Sequence, residues 1–345
     1  MKKDNIYWID SLRVFATIAV IVLHVAAPIV YQFGSISGTV WWIGNIIDSS
    51  VRFCVPIFLM ISGVLLLSKD YSSIRGYLKK RVLRIFYPFL FWSIIYLLKD
   101  ILYYSYMGSM NIHKIDELIK NGVISGVSYH FWYIYLIIGL YLVFPLLSKW
   151  IKNSTKREIE YFLTLWFITL FITFPFISSF IPKINIIYFS GFIGFPILGY
   201  YLNNYDINSN NKKIVYFLLI VISITITAIG TFILSNFKNK FIDWFYNYLT
   251  PNVTIVSICI FLYFKEFVNP NEKINSIIRF FSKYSYGIYL VHILVLWSIQ
   301  KIGLYYNFIN PIIGIIITSL VCFVLSTIII YFVNKFPLGK YIAGT

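Results

Sequence analysis

Residues 8–30 read WIDSLRVFATIAVIVLHVAAPIV, an apolar stretch that is long enough to cross a membrane. About 20 apolar residues in a helix span the hydrocarbon core of a bilayer, which is roughly 30 Å thick. The stretch contains three ionisable side chains, Asp10, Arg13 and His24. Each charge inside a span costs roughly 2.5–3.5 kcal/mol on insertion, so such groups usually face the interior of a bundle. We therefore predict a first transmembrane helix that lines a polar cavity.

The composition of the whole chain also indicates a membrane protein. Of its 345 residues, 59% are hydrophobic, 20% are aromatic and only 12% are charged, and the mean hydropathy is +0.78. An ordinary soluble domain is about 25% charged, so these values exclude a disordered protein and an ordinary soluble enzyme. The cysteines Cys54, Cys259 and Cys322 lie in apolar runs without metal or disulfide spacing, which excludes a disulfide scaffold. The sequence predicts a polytopic membrane protein and indicates no metal site.

Ten apolar stretches predict about ten membrane-spanning helices. They lie near residues 8–30, 41–67, 83–104, 130–148, 159–181, 187–202, 213–234, 250–267, 284–305 and 311–334. The sixth stretch is short and contains three glycines and Pro196, so we expect a broken or tilted helix there. No linker, appended soluble domain or internal repeat is visible. We predict one all-α helical membrane domain over residues 1–345.

The distribution of Lys and Arg predicts the orientation of the bundle. If the N-terminus is placed inside, 20 of the 29 basic residues fall in inner segments and seven in outer segments, while Arg13 and Arg52 lie within spans. Cytoplasmic loops carry an excess of Lys and Arg, so both termini are predicted to be cytoplasmic. The net charge of +16 has this origin and does not indicate a nucleic-acid partner, because the basic residues form no continuous face. We expect a multi-pass protein of the plasma membrane.

Helical geometry places the three ionisable residues of the first helix on one stripe. Arg13 and His24 are eleven residues apart, which at 100° per residue brings them to within about 20° of the same direction. They are separated by roughly 16 Å along the helix axis. Asp10 precedes Arg13 by three residues and can pair with it. The stripe favours a polar cavity over the alternative, a buried Asp–Arg pair with a packed histidine.

Further polar residues follow in the second span and in the loop after it. Asp48 and Arg52 have i,i+4 spacing and are expected to pair, with a structural role at least as well supported as a functional one. Ser62 is a candidate nucleophile, although the sequence offers no base to activate it. Arg81 and Arg84 share a helix face and suit bidentate contacts to phosphates. The positive-inside rule alone would also explain a basic loop at this position.

Two further histidines lie in aromatic segments. His130 opens the stretch HFWYIY, which also contains Trp132, near the predicted outer surface. Aromatic residues at that level usually form an interfacial belt, so packing is the first interpretation and a site is the second. His292 ends the stretch SYGIYLVH in the ninth span, where a core role and a site role are equally supported. The outer connection at 105–129 could form a short amphipathic segment.

Taken together, these segments resemble the acyltransferase-3 family of bacterial integral membrane O-acyltransferases. The resemblance covers nearly the whole chain and rests on five segments in the order found in the family. They are residues 9–13 with His24, residues 56–66, the pair Arg81-x-x-Arg84, residues 130–135 and residues 286–292. The strongest part is Arg13 followed by ten residues and then His24, as in the first-helix motif of the family.

The resemblance implies transfer of an acyl group from cytoplasmic acyl-CoA, commonly acetyl-CoA, to a hydroxyl on a sugar of a cell-surface glycan. The acceptor could also be a polyprenyl-linked precursor in the membrane lipids. Acyl-CoA would be a donor substrate and not a permanently bound cofactor. Some relatives carry an extracytoplasmic esterase-like domain that completes the transfer. This chain shows none, so we expect the stand-alone type or a separate partner protein, and the sequence is also compatible with a homo-oligomer.

The resemblance and the spacing together give two groups of site residues. His24 is expected to act as the general base on the acceptor hydroxyl, with Arg13 and Asp10 as further catalytic candidates. Arg81, Arg84 and Arg13 are expected to hold the phosphates of coenzyme A at the cytoplasmic face. The remaining candidates are His292, His130, Trp132 and Ser62.

Two other functional classes fit part of the pattern. A transporter or flippase for a lipid-linked sugar or small metabolite also uses intramembrane Asp, Arg and His. It does not need Arg81-x-x-Arg84 beside an Arg–His stripe, and the chain shows no repeated halves. A membrane scaffold or sensor would use the buried charges for packing alone, and His24→Ala would then have no functional effect. The acyltransferase accounts for more of these residues than either alternative.

Overall fold

The computed structural model describes residues 7–71, 73–180, 190–206 and 211–345. Within these ranges every regular element is a helix, as predicted for an all-α bundle. Some of the predicted features lie outside the described residues. These are Lys2 and Lys3 of the first inner segment, Lys183 of an outer loop, the end of the span 159–181 and the first part of the span 187–202.

The helices are numbered α1 to α14 in chain order. Their bounds are α1 Tyr7–Val30, α2 Gly38–Val51, α3 Cys54–Leu66, α4 Ile74–Tyr106, α5 Ile112–Ser125, α6 Trp132–Asn153, α7 Lys156–Ile172, α8 Pro175–Ser178, α9 Gly194–Asn204, α10 Lys212–Lys238, α11 Pro251–Phe267, α12 Glu272–Lys301, α13 Pro311–Lys335 and α14 Gly339–Ile342. Short 3-10 turns at Tyr129–Phe131 and Trp244–Tyr246 precede α6 and α11.

The centre of the bundle is α1, which packs against α2, α3, α11, α12 and α13. It is apolar around most of its circumference, and Leu12, Ala16 and Val25 are fully buried. A helix that is hydrophobic all round belongs in the interior of a protein. The first predicted span is therefore largely enclosed by protein, with Phe15 on its exposed side, and it carries Arg13 and His24 into the bundle.

The second predicted span, 41–67, consists of α2 and α3 with a break at Arg52 and Phe53. Arg52 Nη2 donates a hydrogen bond to Asp48 Oδ2 at 2.6 Å, and both side chains are largely buried. The guanidinium of Arg52 lies 4.1 Å from the ring centre of Tyr246. The predicted pair of Asp48 and Arg52 is confirmed, and it also links the break to the turn before α11.

Close approach between α3 and α9 depends on glycine. A Cβ atom at Gly63 would collide with the carbonyl oxygen of Pro196, and one at Gly199 would collide with the backbone of Met60. The described helix in the sixth predicted span, α9, has 11 residues and a length of about 16 Å. It is shorter than the hydrocarbon core of a bilayer. It lies against α3 and α7 instead of crossing as a full-length helix.

Seven segments of the described residues are long and apolar enough to cross a membrane. The remaining three predicted spans coincide with α7, which has 17 residues, with the short α9, and with α12, whose apolar residues alternate with tyrosines, serines and a histidine. The predicted span 159–181 is interrupted, because α7 ends at Ile172 and Pro175 begins α8. The chain is thus a multi-pass helical membrane protein, while the count of ten spans and the orientation stay predictions.

The helix of the third predicted span, α4, begins at Ile74, well before the predicted start near residue 83. The hydroxyl of Ser73 accepts a hydrogen bond from the N–H of Gly76 and caps the helix. Arg81 and Arg84 therefore lie within a helix, which agrees with their predicted shared helix face and corrects the placement of this segment in a loop between spans. The reason is that the Lys, Arg and Leu residues of this segment are good helix formers. The connection 105–129, for which a short amphipathic segment was predicted, contains the helix α5.

Candidate functional site

A cavity of about 380 Å³ lies among α1, α3, α4, α6 and α12. We call it the basic cavity, because five cationic side chains line it: Arg13, Lys69, Arg81, Arg84 and Lys283. Gly344 also lines the cavity, which therefore lies at the end of the bundle where α1 begins and the C-terminus packs. We call this end the terminal end. Several positive charges around one cavity favour a ligand that carries several negative charges.

Arg13 is held in this cavity by two polar side chains. Its Nη1 atom donates to Asp10 Oδ1 at 3.2 Å and to Ser282 Oγ at 2.9 Å. Ser282 Oγ donates in turn to Asp10 Oδ1 at 2.6 Å. The predicted pair of Asp10 and Arg13 is confirmed, and a serine of α12 completes it. In this arrangement Asp10 orients Arg13, and Arg13 is the member of the group that lines the cavity.

Lys69 follows α3, is exposed, and contributes an amino group to the wall of the basic cavity. Burial lowers the pKa of Lys69 below its ordinary value, and the neighbouring charges of Arg81 and Lys80 lower it further. Arg81 and Arg84 lie on one side of α4, at i,i+3 spacing, and both line the same cavity. An anion that binds among these cations would relieve their mutual repulsion. The terminal end of the cavity is thus suited to a phosphate-bearing ligand.

The basic cavity extends towards the middle of the bundle between aromatic side chains. Phe58 of α3, Tyr133 of α6 and Tyr289 of α12 line this part. Phe58 and Tyr289 also line a second, narrow space, which reaches Thr17 and His292 and is too small to hold a water molecule. We call this second space the constriction. The site therefore narrows from the basic cavity to the side chain of His292.

Three histidines meet beside the constriction. His24 comes from α1, His130 from the 3-10 turn before α6, and His292 from α12. The ring centre of His292 lies 5.2 Å from that of His24 and 5.0 Å from that of His130, and the rings of His24 and His130 are 6.4 Å apart. His130 and His292 are buried, and His24 is half-buried. We call these three residues the histidine cluster.

Hydrogen bonds engage Nδ1 of two of these imidazoles and define the tautomer of His292. His292 Nδ1 lies 2.7 Å from the carbonyl oxygen of Tyr289, which can only accept, so Nδ1 carries a proton. In the neutral imidazole Nε2 then bears a lone pair. His130 Nδ1 shares a hydrogen bond of 2.9 Å with Ser128 Oγ. Among the described residues neither Nε2 atom has a hydrogen-bond partner, although both are buried. The cluster thus contains two buried nitrogens that are free to bind a polar group.

Two tyrosines hold the histidine cluster in place. The hydroxyl of Tyr96 accepts from the N–H of Leu294 at 2.9 Å and donates to the carbonyl oxygen of Leu290 at 3.1 Å. The hydroxyl of Tyr289 donates to the carbonyl oxygen of His130. These bonds connect α12 with α4 and with the turn that bears His130. In the described residues no group of three or more His, Cys, Asp or Glu is arranged to hold a metal ion.

Aromatic side chains surround the histidine cluster on the side away from the terminal end. The ring of Tyr129 lies 5.2 Å from that of His24, and Tyr129 is 62% exposed. Trp132 is 36% exposed and stacks on Tyr248 with ring centres 5.7 Å apart and planes at 24°. This end offers flat, accessible apolar surfaces next to an imidazole. The histidine cluster therefore lies between an aromatic surface and the basic cavity.

The structure leaves Ser62 without the partners that a nucleophile needs. Ser62 lines the basic cavity, but its hydroxyl donates to the carbonyl oxygen of Phe58 at 2.9 Å. An activated serine requires a base within hydrogen-bond distance. No histidine or carboxylate among the described residues forms a hydrogen bond with Ser62. Its position is therefore that of a polar side chain in the cavity wall.

The structure brings together residues that are far apart in the sequence. The first interpretation of His130 and Trp132 was packing in an interfacial aromatic belt. His130 is instead buried beside His292. Trp132 is partly exposed and fits the interpretation of a belt. The lining side chains that sequence reasoning did not single out include Lys69, Lys283, Tyr133 and Tyr289. Lys69 and Lys283 contributed only to the prediction of membrane orientation. Tyr289 precedes His292 by three residues, and this helical spacing is the signal that could have identified it.

A comparison with protein-family models matches residues 6–331 to the acyltransferase-3 model, which describes an acyltransferase domain. The matched range includes the whole histidine cluster and the five cations of the basic cavity. The comparison with curated proteins and the comparison with solved structures give no match.

Proposed function

The chain belongs to the acyltransferase-3 family and is a membrane acyltransferase, and from this premise we propose that it is an O-acyltransferase that uses acyl-CoA. The donor in this proposal carries acetyl or another short acyl group. The acceptor is a hydroxyl group of a glycan or of its lipid-linked precursor, in the plasma membrane.

The observation that supports the donor most directly is the connection between the basic cavity and the histidine cluster. Coenzyme A combines several phosphate charges with a long, flexible arm that ends in the thiol. In our proposal Arg81, Arg84 and Lys69 bind the phosphates, as cations in a fixed arrangement bind phosphate groups. The arm then follows the basic cavity, past Arg13, and brings the thioester to the constriction beside His292.

The chemical step needs a base for the acceptor hydroxyl. In our proposal His24 takes the proton, the acceptor oxygen bonds to the thioester carbonyl carbon, and the carbon–sulfur bond breaks with its electron pair on sulfur. General base catalysis by a positioned imidazole contributes about 10²–10⁴-fold to the rate. The half-buried position of His24 supports this role, because an acceptor can reach it from the side of Tyr129.

The proposed sidedness follows from the distribution of charge. The terminal end carries the cations of the basic cavity, and the positive-inside rule places such an end in the cytoplasm, where acyl-CoA is made. Both termini are then cytoplasmic and the chain crosses the membrane about ten times. The acceptor would approach from the opposite end. Tyr129 and Trp132 support a sugar acceptor there, since aromatic faces offer apolar area to the C–H face of a sugar ring.

Binding of the donor to the purified protein tests this proposal. We expect acetyl-CoA to bind saturably to the protein in detergent when titrated by calorimetry, and the double variant Arg81→Ala/Arg84→Ala to lose most of this affinity. The matched control is Arg75→Ala/Lys79→Ala, which removes the same charge from exposed positions of the same helix. We expect the control to bind like the unmodified protein. Folded protein that binds no acetyl-CoA would contradict the donor assignment and favour a transporter.

A further inference from the structure

We propose that His292 carries the proton of the acceptor hydroxyl from His24 to the sulfur of the departing coenzyme A. This inference rests on the proposed function and adds a second imidazole to its mechanism. The path of the proton is then acceptor oxygen, His24, His292 Nε2 and coenzyme A sulfur.

The balance of the reaction requires such a transfer. The acceptor loses one proton when its oxygen bonds to the acyl carbon, and the thiolate of coenzyme A gains one proton after the carbon–sulfur bond breaks. No other reactant is consumed or formed. In the proposed arrangement the acceptor approaches from the aromatic surface, while coenzyme A lies in the basic cavity. A proton must therefore move through the site in the direction opposite to the acyl group.

The positions of the two imidazoles match the two ends of this path. His24 is half-buried and contacts Tyr129, whose ring centre is 5.2 Å away on the exposed aromatic side. His292 is fully buried and lines the constriction with Phe58 and Tyr289, which also line the basic cavity. His24 therefore faces the acceptor, and His292 faces the donor.

The distance between the rings suits proton exchange. The ring centres of His24 and His292 are 5.2 Å apart, and the ring planes differ by 33°. A small rotation, or one bridging hydroxyl, brings a nitrogen of each ring within hydrogen-bond distance. Hydrogen bonds of catalytic groups are often long in the absence of substrate and shorten when it binds. The pair can thus pass a proton without movement of either helix.

The tautomer of His292 leaves the appropriate nitrogen free. Nδ1 donates to the carbonyl oxygen of Tyr289, so Nε2 holds the lone pair that receives a proton. This atom is buried and has no hydrogen-bond partner among the described residues, which is unfavourable unless a substrate or catalytic group uses it. The carbonyl oxygen of Tyr289 stabilises the imidazolium that forms. Because Nδ1 stays bonded, the proton arrives at Nε2 and leaves from Nε2.

His130 occupies a different position in the same cluster. Its ring centre is 5.0 Å from that of His292, but it does not line the constriction. Its main-chain carbonyl accepts from the hydroxyl of Tyr289, and its Nδ1 is bonded to Ser128. Because His130 does not line the constriction, we place the proton path on His24 and His292.

Chemical rescue distinguishes a proton carrier from a structural residue. In His292→Ala the missing ring leaves space beside the constriction, and we expect turnover to fall by about 100-fold or more. Added imidazole should restore part of the rate, and substituted imidazoles of similar size should restore it in the order of their basicity. A purely structural role predicts no dependence on the basicity of the added compound. His292→Gln, whose side chain is of similar size but has no basic nitrogen to accept a proton, should lose a similar factor.

Controls separate this inference from the proposed function. His113→Ala, at an exposed position of α5, should keep full activity and should not respond to imidazole. Both His292 variants should bind acetyl-CoA with an affinity within about threefold of the unmodified protein, which shows that they are folded. Turnover of His292→Gln within about threefold of the unmodified protein would overturn the inference. Lost turnover that no imidazole restores, with donor binding intact, would also overturn it. An unmodified protein that releases no coenzyme A would instead overturn the proposed function.

Discussion

His24 and His292 face each other across the interface between α1 and α12, with 5.2 Å between their ring centres. Arg13 and Ser282 form a hydrogen bond across the same interface. Arg13 precedes His24 by eleven residues and Ser282 precedes His292 by ten, so the two helices run parallel and are in contact at two levels. The packing of α1 against α12 therefore positions both Arg13 in the basic cavity and the imidazoles of His24 and His292.

We expect His24→Ala to lose most of its turnover, by about 10²–10⁴-fold, because the acceptor hydroxyl then has no base. The measurement is release of coenzyme A from acetyl-CoA in the presence of a glycan acceptor. The acetyl-CoA affinity should be unchanged, since His24 does not line the basic cavity. The matched control is His113→Ala, whose side chain is exposed on α5. Turnover of His24→Ala close to that of the control would remove His24 from the mechanism.

The affinity for acetyl-CoA should fall as the pH rises towards the alkaline range. Burial and the charges of Arg81 and Lys80 lower the pKa of Lys69, and only the protonated amine attracts a phosphate. As the pH rises through this lowered pKa, Lys69 loses its charge, so the KM for acetyl-CoA should increase by about two- to fivefold, since one partly exposed ion pair contributes about 1 kcal/mol or less. This increase should begin at a lower pH than an ordinary lysine would give.

Substitution of Lys69 checks the origin of this pH dependence. Lys69→Arg keeps its charge throughout the range, so its KM should stay constant over the pH values at which the KM of the unmodified protein increases. Lys69→Ala should have a high KM at every pH. The control is Lys79→Arg, at an exposed position of α4, which should follow the unmodified protein. The same pH dependence in Lys69→Arg would assign the titration to another group.

Phe58 should limit the length of the acyl group. Its ring lines both the basic cavity and the constriction, so it occupies the space next to the proposed thioester position. In Phe58→Leu we expect the ratio of kcat/KM for butyryl-CoA to that for acetyl-CoA to rise by about tenfold or more, because each methylene that a pocket excludes changes discrimination by such factors. Phe15→Leu, on the outer side of α1, is the control. Equal ratios in the two variants would show that another residue limits the acyl chain.

Gly63→Ala should destabilise the protein. A Cβ atom there collides with the backbone of Pro196, and the rigid α9 cannot yield as a flexible side chain would. Overpacking of this kind typically costs about 1–3 kcal/mol. The measurement is the Tm in detergent. Gly139→Ala on α6 is the matched control, because its added methyl group meets no atom within 4 Å, and its Tm should be unchanged or higher. A Gly63→Ala variant with the Tm of the control would show that α3 and α9 can move apart without loss of stability.

Local patterns in the sequence predicted much of the fold and half of the candidate site. Hydrophobic length identified the helices, and helical spacing placed Asp10, Arg13 and His24 on one stripe. The i,i+3 spacing of Arg81 and Arg84 predicted their shared face. These features depend on neighbours in one helix, and a single sequence contains that information.

The other half of the site depends on contacts between distant segments. His130 and His292 meet His24 only because α12 packs against α1 and Tyr289 of α12 bonds to the turn that bears His130, and no spacing along the chain reports these contacts. Hydrophobicity does not indicate the early start of α4, because the first turns of this helix are charged. The constriction depends on the rotamers of Phe58 and Tyr289, which are set by tertiary packing. Such features require the structure.

The constriction also has a consequence for the energy supply of the cell. A bundle that receives a charged donor at one end and an acceptor at the other would, with an open channel between them, let protons and small ions leak across the membrane. Phe58 and Tyr289 close the space between the basic cavity and His292 to less than the size of a water molecule. Under the proposed sidedness, one proton per turnover passes inward through the two imidazoles while the acyl group passes outward, and the closed constriction leaves no water-filled path for other ions.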